Sequence, residues 1–474
     1  MTEKKPRDSS TLEMVNYSMG AVPVSLIMNT FSAFAMLFYT KALGLNPAWA
    51  GVIMAVSTAW DAVTDPVMGH ISDNTHGKYG RRHPYIFFGG IVLVCTFALF
   101  WFVPDAFLSN KILLVGYLAV VNIMLRTALT VYIVPYAALG FEICQVYTGR
   151  TKLQGIKIII NMLANICGPA MAWAFFFKET DGAPRAVTVS SNYLNMGIAF
   201  ALVSLATIFY TTFSTRNKII DSRDMPKFGK GIGGFFADMK EIITDRYFRW
   251  VFSYGFLVLI GIVLVSSFQM YVYEDFMKFG PTQKSIVHGG TMVGMMLGAA
   301  LSSWFAKQFD KKGTIYIGGG TSIVSGVLLA SLLLTGIIVP GHLLTVIVFA
   351  LLNALYWFGN GVMFPVVSSI LADISEINEI KTGVNKDGAY SAVYSFITKL
   401  SSSGAMLIVG ACLAGIGFVE GIDVVQPPEV VRRLLFVTFV IGPVISATAL
   451  LVIRFYPVNA NFLQSLRENP ESTD

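Results

Sequence analysis

The chain has 474 residues, of which 54% are hydrophobic and only 13% charged, and its formal net charge is +6. A mean hydropathy of +0.64 excludes an ordinary soluble domain and indicates a polytopic membrane protein. The excess of Lys and Arg lies between apolar segments, where it orients the chain in the membrane, so we expect no nucleic-acid partner.

Apolar segments long enough to cross a bilayer recur along the whole chain. A helix needs ~20 residues to span the hydrocarbon layer. Runs of this length are helical, because only helices and closed barrels satisfy their backbone in lipid. We therefore predict an all-α membrane protein with twelve transmembrane helices, at 14–42, 46–74, 83–103, 112–141, 150–177, 190–213, 249–277, 285–308, 313–337, 341–372, 386–416 and 431–456.

A long polar interruption at 214–248 separates two groups of six spans, so we predict six-helix bundles over 1–213 and 249–474 joined by a cytoplasmic linker. The later part of this linker alternates apolar and charged residues at a helical period, which predicts a short helix on the membrane surface. A segment of ~35 residues cannot build its own core.

Basic residues in the loops favour an orientation with both termini in the cytoplasm. The polar amino end carries no small-residue cleavage signature, so we expect no removable signal peptide. Short loops and the lack of an evident targeting sequence fit a bacterial inner membrane.

The second span contains two aspartates, Asp61 and Asp65, with Thr64 between them. Their spacing places all three side chains on one face of a helix. A charge at mid-membrane costs about 2.5 to 3.5 kcal/mol, so such residues indicate a functional site facing a cavity. The alternative is a structural ion pair that joins two helices.

Other spans also contain polar side chains. Arg126 and Thr130 lie one turn apart in the fourth span, Lys157 and Asn161 lie in the fifth, and Lys399 lies deep in the eleventh. Lys157 could simply extend its ammonium group to the membrane interface. Lys399 needs a partner or a wet cavity, and the aspartates of the second span are the natural partner.

A tight basic loop, GKYGRR at 77–82, follows the second span, and a similar loop with Asp310 follows the eighth. Corresponding loops in two six-span halves indicate a parallel internal repeat with its site at the interface of the repeats. We predict that these loops brace the cytoplasmic side of the protein, although anchoring by positive charge alone explains them equally well.

Several longer motifs resemble one family. The segment 60–66, WDAVTDP, with Gly69 and the following loop is similar to the glycoside–pentoside–hexuronide:cation symporters, a branch of the major facilitator superfamily typified by the melibiose permease. Further matches cover essentially the whole chain and lie at 134–142, 148–153, 371–383 and 395–400. The resemblance implies the major facilitator fold and cation-coupled sugar symport by alternating access.

The resemblance also implies a coupling-cation site for Na+ or H+, with no other cofactor. Asp61 and Asp65 match the family's cation-binding carboxylates, Thr64 stands where Asn is usual, and Thr130 matches the threonine that completes the site. Hard cations take oxygen ligands, whereas a proton needs only one carboxylate. We assign Ser25, Arg126, Lys157, Asn161, Phe364, Tyr394 and Lys399 to the substrate site, and Gly69, Asp73, Gly77, Gly80, Arg81, Arg82 and Glu142 to loop or gating roles.

The chain departs from the melibiose permease where that protein binds sugar, because Ser25, Ile133 and Ala137 replace two carboxylates and an aromatic residue. Three basic side chains inside the spans outnumber the two aspartates, which favours an acidic glycoside such as a hexuronide. The fork of Arg126 matches a carboxylate bidentately. Alternatively, Arg126 only pairs with Asp61 or Asp65.

Other function classes fit the sequence less well. It contains no repeated carbonyl-rich loop of a channel filter. Its five histidines lack the spacing of a metal or catalytic constellation, so we expect no enzymatic activity. The strongest alternative is a cation-coupled carrier of a lysolipid or another amphiphile, since Ile133 and Ala137 make the cavity more apolar. We expect a small-molecule substrate, a monovalent cation and the lipid bilayer as partners.

Overall fold

The computed structural model describes residues 10–143, 147–178, 185–218, 239–383, 387–421 and 424–468, and these ranges contain helices and connecting segments but no strand. The helices that correspond to the twelve predicted spans are α1 (Thr11–Ala42), α2 (Pro47–Asp73), α3 (Tyr85–Phe100), α4 (Lys111–Ile143), α5 (Tyr147–Met171), α6 (Ser190–Ser214), α7 (Arg246–Tyr271), α8 (281–309), α9 (311–334), α10 (Leu343–Thr382), α11 (Asp387–Gly415) and α12 (Pro428–Ile453). The all-α prediction is confirmed.

Local signals in the sequence set several helix ends. Ser10 and Glu13 form a reciprocal capping box at the start of α1. Asn46 caps α2 by accepting a 3.0 Å hydrogen bond from the Ala48 N–H, and Asp245 caps α7 in the same way. At the other end of α10, Gly383 adopts φ +70°, a left-handed conformation that ends a helix.

Two predicted spans follow each other directly and are separated only by a turn. Pro281–Leu334 covers both α8 and α9, and the chain turns between them at Asp310, whose φ of 58° and ψ of 169° are not helical. The Asp310 side chain accepts a 2.7 Å hydrogen bond from the Lys311 N–H, which supports the turn. The break thus lies within the predicted basic loop.

The described residues divide into two compact units. The first contains those of Met1–Ile232 and of the short segment Glu420–Asp423, and the second contains those of Gly233–Val419 and Val424–Asp474. The predicted linker at 214–248 falls largely on residues outside the described ones. Helical turns at 239–244 precede α7, and the surface helix stays a prediction.

Aromatic rings fill one end of the first unit. Phe34, Phe38, Trp101 and Tyr193 are buried, and their ring centroids lie 4.9 to 6.5 Å apart where they contact one another. Aromatic pairs at such separations add stabilisation beyond the area that they bury. This cluster joins α1, α3 and α6.

Close helix contacts dominate the second unit. A Cβ atom added at Gly298 of α8 would overlap the Phe358 carbonyl of α10, and one added at Gly361 would overlap the Met295 carbonyl. Small residues allow helix backbones to approach this closely, which is a common basis of helix association in membranes.

Candidate functional site

Helix α2 presents its polar face to α4 within the first unit. Asp61 is buried at 3% exposure, whereas Thr64 and Asp65, one turn further along, are half-buried. The indole Nε1 of Trp60 donates a 2.9 Å hydrogen bond to Thr127 and so fixes α2 against α4. One carboxylate therefore lies inside the helix pair and the other nearer its surface.

Arg126 of α4 forms an ion pair with Asp61, with 3.0 Å between Nη1 and Oδ2. Both side chains are buried. The guanidinium lies over the ring of Phe31 at 4.6 Å from its centroid, and Nη1 is 3.9 Å from the sulfur of Met28. Among the described residues, the buried Nε of Arg126 has no hydrogen-bond partner.

Thr130 contacts both aspartates. Its Oγ1 lies 2.8 Å from Oδ1 of Asp65 and 3.4 Å from Oδ1 of Asp61. A hydroxyl group has a single proton to donate, and the shorter contact identifies Asp65 as the acceptor. The Thr64 hydroxyl is 3.3 Å from that of Thr130 and donates to the Trp60 carbonyl.

The structure thus brings together all four residues predicted for the cation site and adds Arg126 to them. Two carboxylates and two hydroxyls supply oxygen ligands of the kind that hard cations prefer. With both aspartates ionised, the guanidinium neutralises one of the two negative charges. The pair of Asp61 with Arg126, left open from the sequence, is observed.

Polar residues of α5 lie near side chains of both α4 and α1. The Lys157 ammonium lies 5.3 Å from the ring centroid of Tyr136. Further along α5, Asn165 donates a 2.8 Å hydrogen bond to Oδ1 of Asn161, and Asn29 of α1 donates a 2.9 Å bond to the Asn165 carbonyl. The sequence analysis did not identify Asn29. An amide side chain within an apolar span was the signal that could have found it.

Ser25 is buried in α1, one turn before Asn29. Its hydroxyl donates a 3.0 Å hydrogen bond to the Ala21 carbonyl of the same helix. A serine bonded in this way satisfies its polar group within the helix. Its assignment to the substrate site stays a prediction.

The remaining predicted substrate residues belong to the second unit. Phe364 and Tyr394 line a cavity of about 220 Å³ together with Tyr254, Asn360 and other side chains of α7, α10 and α11. Lys399 is half-buried in α11 and follows Thr398, which also lines this cavity. The pairing of Lys399 with the aspartates of the first unit stays a prediction.

The loop after α2 is held by its own charged residues. Arg82 is buried at 5% exposure, forms an ion pair with Asp73, and donates a 2.7 Å hydrogen bond to Ser72. Gly80 adopts φ +72°, and its N–H closes a turn onto the Gly77 carbonyl. The tight turn thus positions the arginine.

Three other predicted loop residues have less defined contacts. Gly69 faces Val134 of α4, where an added Cβ would make ordinary van der Waals contact. Arg81 is half-buried. Glu142 lies in the last turn of α4, and its side chain is outside the described ones.

The second unit contains a related ionic contact. Lys311, next to the break between α8 and α9, lies 2.6 Å from Oδ2 of Asp373 in α10. Lys312 donates to the carbonyls of Arg454 and Tyr456 at the end of α12. Asp373 belongs to the motif at 371–383, but its partner could not be inferred from the motif alone.

A family model described as "MFS/sugar transport protein" matches residues 16–460. A glucuronide carrier protein homolog of Escherichia coli is 22% identical, with 94% of this chain and 92% of the relative covered. The sodium-dependent lysophosphatidylcholine symporter 1 of Gallus gallus is also 22% identical, with 96% and 90% covered.

Among solved structures, a D-xylose-proton symporter superposes with a TM-score of 0.64 at 13% identity and covers 95% of this chain and 98% of its own. This likeness shows that the two proteins share a fold. The predicted major facilitator fold is therefore confirmed.

Proposed function

The chain belongs to the MFS/sugar transport protein family, and from that membership we propose that it is a secondary active transporter. It couples the movement of a monovalent cation, Na+ or H+, to symport of a glycoside or hexuronide-type sugar by alternating access. The observation that carries this proposal is the contact of Thr130 with both Asp61 and Asp65.

The charges of this site account for coupling. An ionised Asp65 leaves a net negative charge beside the pair of Asp61 with Arg126, which favours binding of one monovalent cation. With a cation and a neutral sugar bound, the site carries no net charge and can be occluded at lower cost in the membrane. Each ligand then raises the affinity for the other, because coupling between two sites is reciprocal.

For a neutral sugar, the membrane potential supplies part of the driving force, whereas one cation that moves with one anionic sugar carries no net charge across the membrane. One elementary charge that crosses the field contributes about 2.3 kcal/mol per 100 mV. A concentration gradient of the same cation adds to this term. We place the protein in the cell inner membrane with both termini in the cytoplasm, an orientation supported by the basic loops that follow α2 and α8.

Two comparisons support the sugar assignment. The family description names sugar transport, and one relative is named as a glucuronide carrier homolog. The second candidate function is cation-coupled transport of a lysolipid. It is favoured by the relative named as a lysophosphatidylcholine symporter and by the apolar Ile133 and Ala137 at positions where the melibiose permease binds sugar.

Uptake into proteoliposomes tests the proposal. Radiolabelled glycosides, glucuronides and a lysophospholipid would be offered under a Na+ gradient at fixed pH, and under a pH gradient without Na+. We expect one gradient to drive accumulation of a glycoside or glucuronide, and Asp65→Asn to abolish it. Accumulation of the lysophospholipid alone would replace the sugar with the second candidate, and accumulation of nothing would reject the function.

A further inference from the structure

Arg126 uses only part of its hydrogen-bonding capacity in its ion pair. A guanidinium can grip a carboxylate with two parallel N–H groups. Here a single nitrogen, Nη1, contacts Asp61 at 3.0 Å, and the same nitrogen faces the sulfur of Met28 at 3.9 Å. Other N–H groups of the planar guanidinium therefore remain to bind a second anion.

One of these donors is buried without a partner in the described part of the chain. The Nε–H of Arg126 has no hydrogen-bond acceptor, although almost all buried polar groups in native proteins have one. Phe31 covers one face of the guanidinium at 4.6 Å and holds the group in place without satisfying its donors. If Arg126 served only as a structural partner of Asp61, the lack of an acceptor for its Nε–H would have no explanation.

The order of the two aspartates gives an incoming cation a path to the pair. Asp65 is half-buried and Asp61 is buried behind it, while the Thr130 hydroxyl lies within 3.4 Å of both carboxylates. A cation that enters at Asp65 can thus be shared with Asp61 through oxygen ligands alone. There it competes with Arg126 for the same carboxylate.

We infer that Arg126 is an exchangeable counter-ion, which neutralises Asp61 in the empty site and binds the anionic group of an acidic glycoside once a cation occupies the carboxylates. This role rests on the proposed function and narrows its substrate class to glycosides that carry a carboxylate. The cation and the anion enter together, so the net charge of the site is the same before and after loading.

Cation binding and anion binding are coupled in this scheme. The cation weakens the attraction of Asp61 for the guanidinium of Arg126. The guanidinium can then bind the carboxylate of the glycoside, whose geometry matches its parallel N–H groups. A neutral glycoside of the same shape gains nothing from the exchange. Cation-dependent affinity is thus the expected signature of an acidic substrate.

The test compares binding of 4-nitrophenyl β-D-glucuronide and 4-nitrophenyl β-D-glucoside to the purified full-length protein by calorimetry. Each is titrated in Na+-free buffer at alkaline pH as the reference, then with saturating NaCl at alkaline pH, and again in Na+-free buffer at acidic pH. In the wild type, we expect the coupling cation to raise glucuronide affinity about 5- to 150-fold, the usual range for two coupled sites. Glucoside affinity should change much less.

Arg126→Gln should lose this cation dependence for the glucuronide and should bind the cation at least as tightly as the wild type, because a competitor for Asp61 has been removed. Arg433→Gln is the matched control, since Arg433 lies in the second unit, where it forms an exposed ion pair with Glu429 at 3.7 Å and donates a 3.3 Å hydrogen bond to the Ile416 carbonyl, and its replacement should leave both affinities unchanged. Arg126→Lys keeps the charge without the fork, and should retain the fold and lose most of the preference for the glucuronide.

Cation-stimulated glucuronide binding that survives in Arg126→Gln or Arg126→Lys would overturn the role of Arg126 and leave symport intact. Equal cation stimulation of glucoside and glucuronide in the wild type would also overturn it. Should Arg126→Gln not fold, Arg126→Lys carries the test, because it keeps the positive charge beside Asp61 and leaves the cation site intact. Failure of the wild type to take up any glycoside under either cation gradient would instead reject the proposed function.

Discussion

Thr130 donates a 2.8 Å hydrogen bond to Asp65 and so joins helix α4 to the more accessible carboxylate of α2. The same hydroxyl lies 3.4 Å from Asp61, the buried carboxylate. One side chain thus connects the two negative charges that the sequence places in the second span. The cation site depends on this contact between two helices.

Replacing Thr130 with Val should weaken cation binding. The change keeps the shape and removes a hydroxyl oxygen from the predicted ligand set, so we expect cation affinity to fall roughly tenfold, or about 1.4 kcal/mol. The measurement is the cation concentration for half-maximal uptake of the sugar. Thr448→Val serves as the control, because the exposed Thr448 bonds only to its own helix at Val444. Equal cation dependence in both variants would remove Thr130 from the site.

The two aspartates should differ in their effect on stability. Asp61→Asn leaves the buried guanidinium of Arg126 unpaired, and removing one partner of a buried pair costs about 3–5 kcal/mol. Asp65→Asn leaves that pair intact and should unfold close to the wild-type temperature while losing coupled uptake. Thermal unfolding in detergent checks both variants.

The Asp61→Asn/Arg126→Gln double variant completes this comparison. It removes both charges, so we expect it to be more stable than Asp61→Asn alone, with a clear interaction between the two changes. Additive losses of stability would mean that the two side chains do not depend on each other. Additivity would therefore show that loss of the ion pair is not the cause of the lower stability of Asp61→Asn.

Glycine contacts between α8 and α10 should be intolerant of a methyl group. Gly298→Ala forces the added Cβ into the Phe358 carbonyl, and overpacking of this kind costs about 1–3 kcal/mol. Gly320→Ala is the matched control, because nothing lies near its added Cβ and alanine favours a helix by about 0.5–1 kcal/mol. Opposite shifts of the unfolding temperature are expected, and a stable Gly298→Ala variant would show that these helices can separate.

Arg82 should stabilise the loop after α2 through its buried contacts. Arg82→Gln removes the ion pair with Asp73 and leaves buried polar groups without their partner, at a cost of about 1–3 kcal/mol. The exposed Lys78 of the same loop provides a control, Lys78→Gln, that should have almost no effect. Limited proteolysis and the unfolding temperature would report the difference. Equal effects would indicate that positive charge alone matters.

Hydropathy was sufficient to predict the helices, because each span must supply its own apolar residues and satisfy its own backbone. Helix ends were less accurate. The prediction ended the tenth span at residue 372, whereas α10 continues to Thr382 through the charged segment 373–381. A helix can extend beyond the membrane in water, where hydropathy carries no signal for its end.

The site was predictable where one helix alone determines it. The spacing of Asp61, Thr64 and Asp65 requires a shared face, and the family resemblance added Thr130. Contacts of Arg126 with Phe31 and Met28 depend on how α1 packs against α4, which the pattern of either helix does not specify. The sequence offered Asp61 or Asp65 as the partner of Arg126, and the choice of Asp61 had to be read from the structure.

Substrate-driven cation movement tests symport most directly. A sugar that the vesicles accumulate would be added without any pre-imposed gradient, and entry of 22Na+ or alkalinisation of the medium would be recorded. We predict that the wild type moves the cation inward with the sugar, and that Asp65→Asn does not. Entry of sugar at the wild-type rate with no cation movement would contradict coupling at Asp61, Asp65 and Thr130.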